Sequence, residues 1–249
     1  MRTAVVRGFA PEYEWRTIPD LRDLVTHSAA TWPDRTAFLA RRNPAEPPEP
    51  ISYPRFQRDL EALGSALVRI LGLGGDFIAI TGENRYEWLL SYLAAACGAG
   101  VAVPLDRELP PHEAVMLLQR CRASVVVYSG RLAATMESIR DQVPTVRFWI
   151  DMDAEADAPG GRVRSFRRLL EAGRALADGR EALSAEEKVL PAMEDVPFLK
   201  RPLDPESLAI LLFTSGTTST AKGVMLSHRN LCADISMIQG AIFFNQDDV

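Results

Sequence analysis

Histidine and cysteine are scarce, three of each in 249 residues. The cysteines, Cys97, Cys121 and Cys232, lie far apart, form no Cys-x-x-Cys pair and are odd in number. This excludes a disulfide scaffold or a zinc site of thiolates and imidazoles, and the three thiols read as small core hydrophobes in a reducing compartment. Positive charge is not in excess, since 28 Lys and Arg against 33 Asp and Glu give a formal net charge of -5. There is no broad basic surface for a nucleic-acid backbone. The first residues, Met1 to Gly8, lack the apolar run of a secretory leader, so the expected location is the cytoplasm. What is present is ordinary: 47% hydrophobic and 24% charged residues, 16 Gly and 17 Pro describe a soluble globular chain with apolar mass for a sizeable core.

One uncharged stretch, Trp88 to Leu105, reaches the length of a membrane span. It is interrupted by Gly98-Ala99-Gly100 and closed by Pro104, so it divides into a helix, Trp88 to Cys97, and a buried strand, Val101 to Val103. That strand belongs to a rhythm. Apolar runs start at Phe77, Val101, Ser124 and Val146, separated by 24, 23 and 22 residues, the length of one strand, one helix and two loops. The intervening segments, Tyr86 to Cys97, Pro111 to Cys121 and Leu132 to Val143, read as helices. Strands apolar on both faces and alternating with helices imply an α/β unit over about 77–150, a mostly parallel sheet with helices on both faces.

Ahead of this unit the pattern predicts a helix near Asp20 to Ala30 and a strand at Thr36 to Ala40. A proline-rich loop, Pro44 to Pro50, precedes a longer helix with Phe56, Leu60, Leu63, Leu67 and Ile70 on one core-facing side. Behind the unit, about 151–206 reads as a connecting region. It opens with an acidic surface loop, Asp151 to Gly161, and continues with Arg162, Arg164, Arg167 and Arg168 leading into a helix; a solvated face is the default for those arginines. Pro191, Pro197, Pro202 and Pro205 then predict a surface path.

The next apolar strand, Leu208 to Phe213, runs into Thr214-Ser215-Gly216-Thr217-Thr218-Ser219-Thr220-Ala221-Lys222-Gly223-Val224. Hydroxyls and exposed backbone N–H groups are donors that can wrap a phosphate chain, Gly216 and Gly223 allow unusual backbone angles, and Lys222 supplies a mobile charge. A Walker A loop is excluded, since it would need glycine at Ala221 and Ser or Thr at Gly223. Composition leaves a phosphate-binding loop and a plain surface loop both open.

The longer run from Phe213 to Leu231 resembles the phosphate-loop signature of the AMP-forming, adenylate-forming enzymes: acyl-CoA synthetases, luciferases and the adenylation domains of peptide synthetases. Asp34 to Phe38, Ile51 to Tyr53, Glu83 to Trp88 and Gly100 to Leu105 resemble successive landmarks of that family's N-terminal region, in order. Val224 to Asn230 is most similar to the fatty-acyl-CoA synthetases. Two positions depart from the family pattern, Ser219 where glycine is usual and Ala221 where proline is usual.

The resemblance implies a two-step reaction. A carboxylate attacks ATP to give acyl-AMP and pyrophosphate, and a thiol, usually that of coenzyme A, then takes the acyl group. It implies that Thr214, Ser215, Gly216, Thr217, Thr218 and Lys222 hold the β- and γ-phosphates, with Thr214 a Mg²⁺ contact. His228 and Arg229 read as a polar turn at the start of a helix capped by Ser227, and Tyr86 and Trp88 as core packing. The family's adenine, ribose and catalytic-lysine elements have no match here, so residues 1–249 are expected to be part of the large domain of an adenylating enzyme, with the catalytic lysine beyond residue 249 and no activity in the isolated piece. Two alternatives remain open: a non-catalytic nucleotide-binding or interaction module, and an adenylating enzyme whose acceptor is a carrier-protein thiol.

Overall fold

Each of the four rhythmic apolar runs is a strand of one sheet. In this computed structural model, which describes residues 16–41, 45–178, 196–214 and 221–243, they are β3 (Asp76–Thr81), β4 (Gly100–Pro104), β5 (Val125–Tyr128) and β6 (Phe148–Asp151). Three further strands join them, β7 (Val163–Ser165), β8 (Leu208–Thr214) and β9 (Lys222–Ser227), in the order β7-β6-β5-β3-β4-β8-β9. All neighbours are parallel except β8 and β9. A separate antiparallel pair, β1 (Thr36–Ala40) and β2 (Glu49–Ser52), precedes the sheet. The strand β2 therefore begins within the segment expected to be a proline-rich loop; Pro50 is tolerated because only two strands pair there, leaving an outer edge.

Side chains alternate across the sheet. Ile78, Ile80, Ala102, Val125, Val127 and Ile150 face one core, and Ala79, Val101, Val103, Val126, Tyr128 and Trp149 face the other. The first core is covered by α1 (Leu21–Thr31), α2 (Tyr53–Arg69), α3 (Tyr86–Ala94) and α6 (Phe166–Ala177), the second by α4 (Pro111–Cys121) and α5 (Ala133–Ile139). This is the doubly covered α/β architecture that the rhythm predicts. The helix α2 buries Phe56, Leu60, Leu63 and Leu67, four of the five positions on its predicted face. Between α3 and β4 a π-type turn, Ala95–Ala99, interrupts the apolar stretch, and no helix among the described residues is long and apolar enough to cross a membrane.

The connecting region contributes more to the fold than a surface path. It supplies β7, it supplies α6 packed along α2, and it buries Phe198 to 1% exposure. Three residues of strand with mixed burial carry too little periodicity to be read in advance. Pro191 lies outside the described residues. All three cysteines are buried and unbridged, and burial pushes the Cys97 thiol up to about 12, so it stays protonated and inert.

Candidate functional site

The β8 strand enters the sheet beside β4, through Ala102 paired with Ile210, and ends at the carboxyl edge of the parallel strands. Ligands of α/β sheets bind along this edge. From Thr214 the chain returns antiparallel as β9, with Phe213 opposite Gly223 and Thr214 opposite Lys222. The Thr214 hydroxyl lies 3.4 Å from the Lys222 carbonyl oxygen, to which it donates, and both residues are exposed. Lys222 is thus the first residue of a strand, where sequence reasoning placed it inside the loop. Its backbone is fixed by the ladder and the residue is exposed. Ser215, Gly216, Thr217 and Thr218 lie outside the described residues, as does Ser219.

A helix follows at once, α7 (His228–Ala241). Ser227 caps it: its hydroxyl accepts from the Asn230 N–H at 3.3 Å, and the Asn230 side chain accepts from the Ser227 N–H at 3.0 Å. His228 points inward, 1% exposed, while Arg229 is exposed and ion-paired with Glu206. Both are part of the turn's architecture. Tyr86 and Trp88 also pack: the Tyr86 ring lies among Phe38 and Phe56 and its hydroxyl donates to the buried Asp59 at 3.0 Å, and Trp88 stacks on Tyr92.

A second feature of the same edge was not legible in advance. The chain leaves β3 toward β4 on one side and crosses to β5 on the other, and at this switch point opens a polar cavity of about 1090 Å³. Its floor is organised by Arg85, which donates to both Asp153 carboxylate oxygens at 2.7 and 2.9 Å and to Glu87 at 2.8 Å. The Gly130 N–H also donates to Asp153, at 2.8 Å. Burial pushes the Asp153 carboxyl up, but these hydrogen bonds outweigh it and hold it below the usual range. Asp153 is therefore a structural acceptor, although it sits in what reads as an acidic surface loop. Two further arginines that line it are matched as well: Arg174 pairs with Asp59 and Arg167 with Glu171. Arg164, expected on a solvated face, is 11% exposed in its side chain and paired with Asp157 at 2.6 Å.

A family profile described as AMP-binding enzyme matches residues 25–249. The chain belongs to the AMP-binding enzyme family. Among curated relatives, rat long-chain-fatty-acid–CoA ligase 5 is 32% identical over 210 residues, covering 82% of this chain and 29% of the relative. Human long-chain-fatty-acid–CoA ligase 6 is 30% identical over 220 residues, covering 85% of this chain and 30% of the relative. This member of the family thus spans about 30% of the length of such relatives. A long-chain-fatty-acid–CoA ligase from Archaeoglobus fulgidus superposes with a TM-score of 0.68 at 19% identity, over 90% of this chain and 39% of that one. A red-emitting luciferase from Phrixothrix hirtus does so with a TM-score of 0.68 at 18% identity, over 91% and 39%. At such identities the superpositions speak for the fold, an AMP-binding-enzyme sheet with its helices.

Proposed function

We propose that the protein containing this chain activates a carboxylic acid, specifically a fatty acid, with ATP to give acyl-AMP and pyrophosphate, and then passes the acyl group to the thiol of coenzyme A. One observation carries the reading. The hydroxyl-rich signature is mounted on a strand pair whose register sets Thr214 opposite Lys222 at the ligand-binding edge of the sheet. The acid and the acceptor are supported by relatives that are long-chain-fatty-acid–CoA ligases.

In this proposal the donors of Thr214, Ser215, Gly216, Thr217 and Thr218, with the Lys222 ammonium, hold the β- and γ-phosphates. When the carboxylate oxygen bonds to the α-phosphorus and the bond to the β-phosphate oxygen breaks, negative charge grows on the departing pyrophosphate. Donors already aimed at that charge lower the barrier because they need no reorganisation during the step. The exposed Thr214 hydroxyl at the strand end is a hard oxygen of the kind Mg²⁺ accepts. Mg²⁺ held there would supply further charge neutralisation at the phosphates.

The test is carboxylate-dependent exchange of labelled pyrophosphate into ATP, run over acids of graded chain length, followed by thioester formation with coenzyme A or a carrier-protein thiol. Exchange is expected with long-chain acids, with a preference for coenzyme A. Lys222→Ala is expected to lower it about 100-fold, the loss typical of one preorganised charge-stabilising group. Mg-ATP binding without exchange on any acid would replace the ligase by a non-catalytic nucleotide module.

A further inference from the structure

A charged residue lies buried at the other end of the β8–β9 hairpin. Arg22 of α1 is 5% exposed, and its guanidinium donates to two backbone carbonyls, that of Cys97 in the π-type turn before β4 and that of Arg201 on the approach to β8. Burying such a group is costly unless its donors are met. Here two of them are met by segments 75 and 179 residues away along the chain, and the guanidinium carbon lies 5.2 Å from the centre of the Phe198 ring. An apolar side chain of similar size would fill the space, but only a fork of directional donors fixes two carbonyls relative to each other.

The surroundings are shaped to the fork. Gly98 has φ +121, and a Cβ there would overlap the guanidinium, so the turn is open on the side where Arg22 enters. Phe198 is held independently. Glu61 of α2 accepts the N–H groups of Phe198 and Leu199, and the Phe198 ring lies so close to Gly64 that a Cβ would overlap it. From there the chain runs to the open end of the hairpin. Its two strands are stapled by the His228 N–H donating to the Ser207 carbonyl at 3.3 Å and the Arg229 N–H to the Pro205 carbonyl at 2.9 Å.

We propose that Arg22 is a positioning residue for the phosphate site: by fixing the base of the β8–β9 hairpin against the turn that leads into β4, it sets where Thr214 and Lys222 are presented. The proposal rests on the phosphate-site reading above. The lever is long. A seven-residue strand is about 20 Å from base to tip, so a tilt of about 3° at the base moves the tip by about 1 Å, a displacement able to cost about 100-fold in rate.

The test compares Arg22→Met, Arg22→Lys and Lys222→Ala in the protein containing this chain, with two readouts. In hydrogen exchange, Arg22→Met is expected to speed the amides of 208–214 and 222–227 about tenfold while those of β3 and β5 stay within about twofold. Arg22→Lys, whose single ammonium lacks the fork, falls between. In the exchange assay Arg22→Met raises the KM for MgATP about tenfold, with the KM for the fatty acid within about twofold. Equal acceleration of both halves of the sheet, or none, overturns the proposal. If Lys222→Ala abolishes pyrophosphate exchange and neither Arg22 variant moves the KM for MgATP, Arg22 has no positioning role and the phosphate site stands. If Lys222→Ala changes nothing, the phosphate site falls and hydrogen exchange still decides whether Arg22 holds the hairpin. Should Arg22→Met not fold, the lysine variant separates the same outcomes.

Discussion

The strands β3 to β6 and the pair β8–β9 share one sheet but are held very differently. The first group is covered on both faces, and every residue of β5 is buried. In the second, β8 buries Ala209, Ile210 and Leu211 beside β4, which it meets through the bridge of Ala102 with Ile210, but its partner β9 lies at the sheet edge and its first four residues are all exposed. The proposed chemistry sits at the tip of this pair, whose outer strand is thinly held. A phosphate loop has to reach a ligand that enters and leaves, and a region with little burial can open without the rest of the domain opening. The packed strands supply the fixed reference, and the hairpin is placed against it by a few directional contacts.

The largest effect separates these roles. Leu63 of α2 is 1% exposed in the core of the packed half, so Leu63→Ala removes buried methyl groups and leaves a cavity. We expect it to lower the unfolding free energy by about 3 kcal/mol, within the 2–5 kcal/mol range for such truncations. Denaturant unfolding measures the loss, and the KM for MgATP below the new transition is expected to stay within about twofold. A large rise in that KM at unchanged fold would mean that the two regions are one mechanical unit.

The same contrast governs what could be read from the residues. Strands β3 to β6 announce themselves because burial on both faces demands continuous apolar runs, and the intervening helices because one face of each is apolar. The strand β9 was hidden. Lys222, Gly223 and Ser227 in a six-residue strand give neither an apolar run nor a clean alternation, so Lys222 reads as loop. Arg22 was hidden for another reason: a lone arginine in a polar first turn looks solvated, and its two carbonyl partners are distant in sequence. The proposed phosphate loop rests on its resemblance to a family signature, since donor composition alone leaves a plain surface loop open. The Arg85–Asp153 pairing had a partial signal, since Arg85 lies inside a family landmark, while nothing local distinguishes Asp153 from its acidic neighbours.

A smaller effect probes the hairpin from its far side. Ser227 closes a reciprocal cap with Asn230 where β9 turns into α7, and Ser227→Ala removes both bonds made by its hydroxyl, keeps the one from its backbone N–H, and leaves an N–H of the first turn without its acceptor. The expected cost is about 1 kcal/mol. Hydrogen exchange is expected to confine it to 222–241 with β3 to β6 unchanged. Spread of the effect into the packed strands would show that α7 is an integral part of the frame.

The smallest effect is one of pH, and it follows from His228 at the same joint. The ring is buried, its Nδ1 has no hydrogen-bond partner, and burial pushes the imidazole below its ordinary range, with Asp20 opposing and Arg22 reinforcing the shift. In the unfolded chain this histidine takes up a proton near pH 6.5; in the folded chain it does so only at lower pH. The unfolded state therefore binds more protons in the window between, so the contribution of His228 is fully present above about pH 6.5 and is lost as pH falls toward the folded value. The carboxylates with depressed values, Asp76, Glu83 and Asp153, lose their own contributions only in the lower range where carboxylates protonate. Between about pH 6.5 and pH 5 the decline is thus assigned to His228, and His228→Gln, which cannot charge, is expected to flatten it. Because His228 seals the open end of β8–β9 through its N–H bond to Ser207, hydrogen exchange at pH 5.5 is expected to rise first in 222–227. Equal slopes for the two proteins would assign the decline to other groups, and equal acceleration in β5 would place the joint inside the frame.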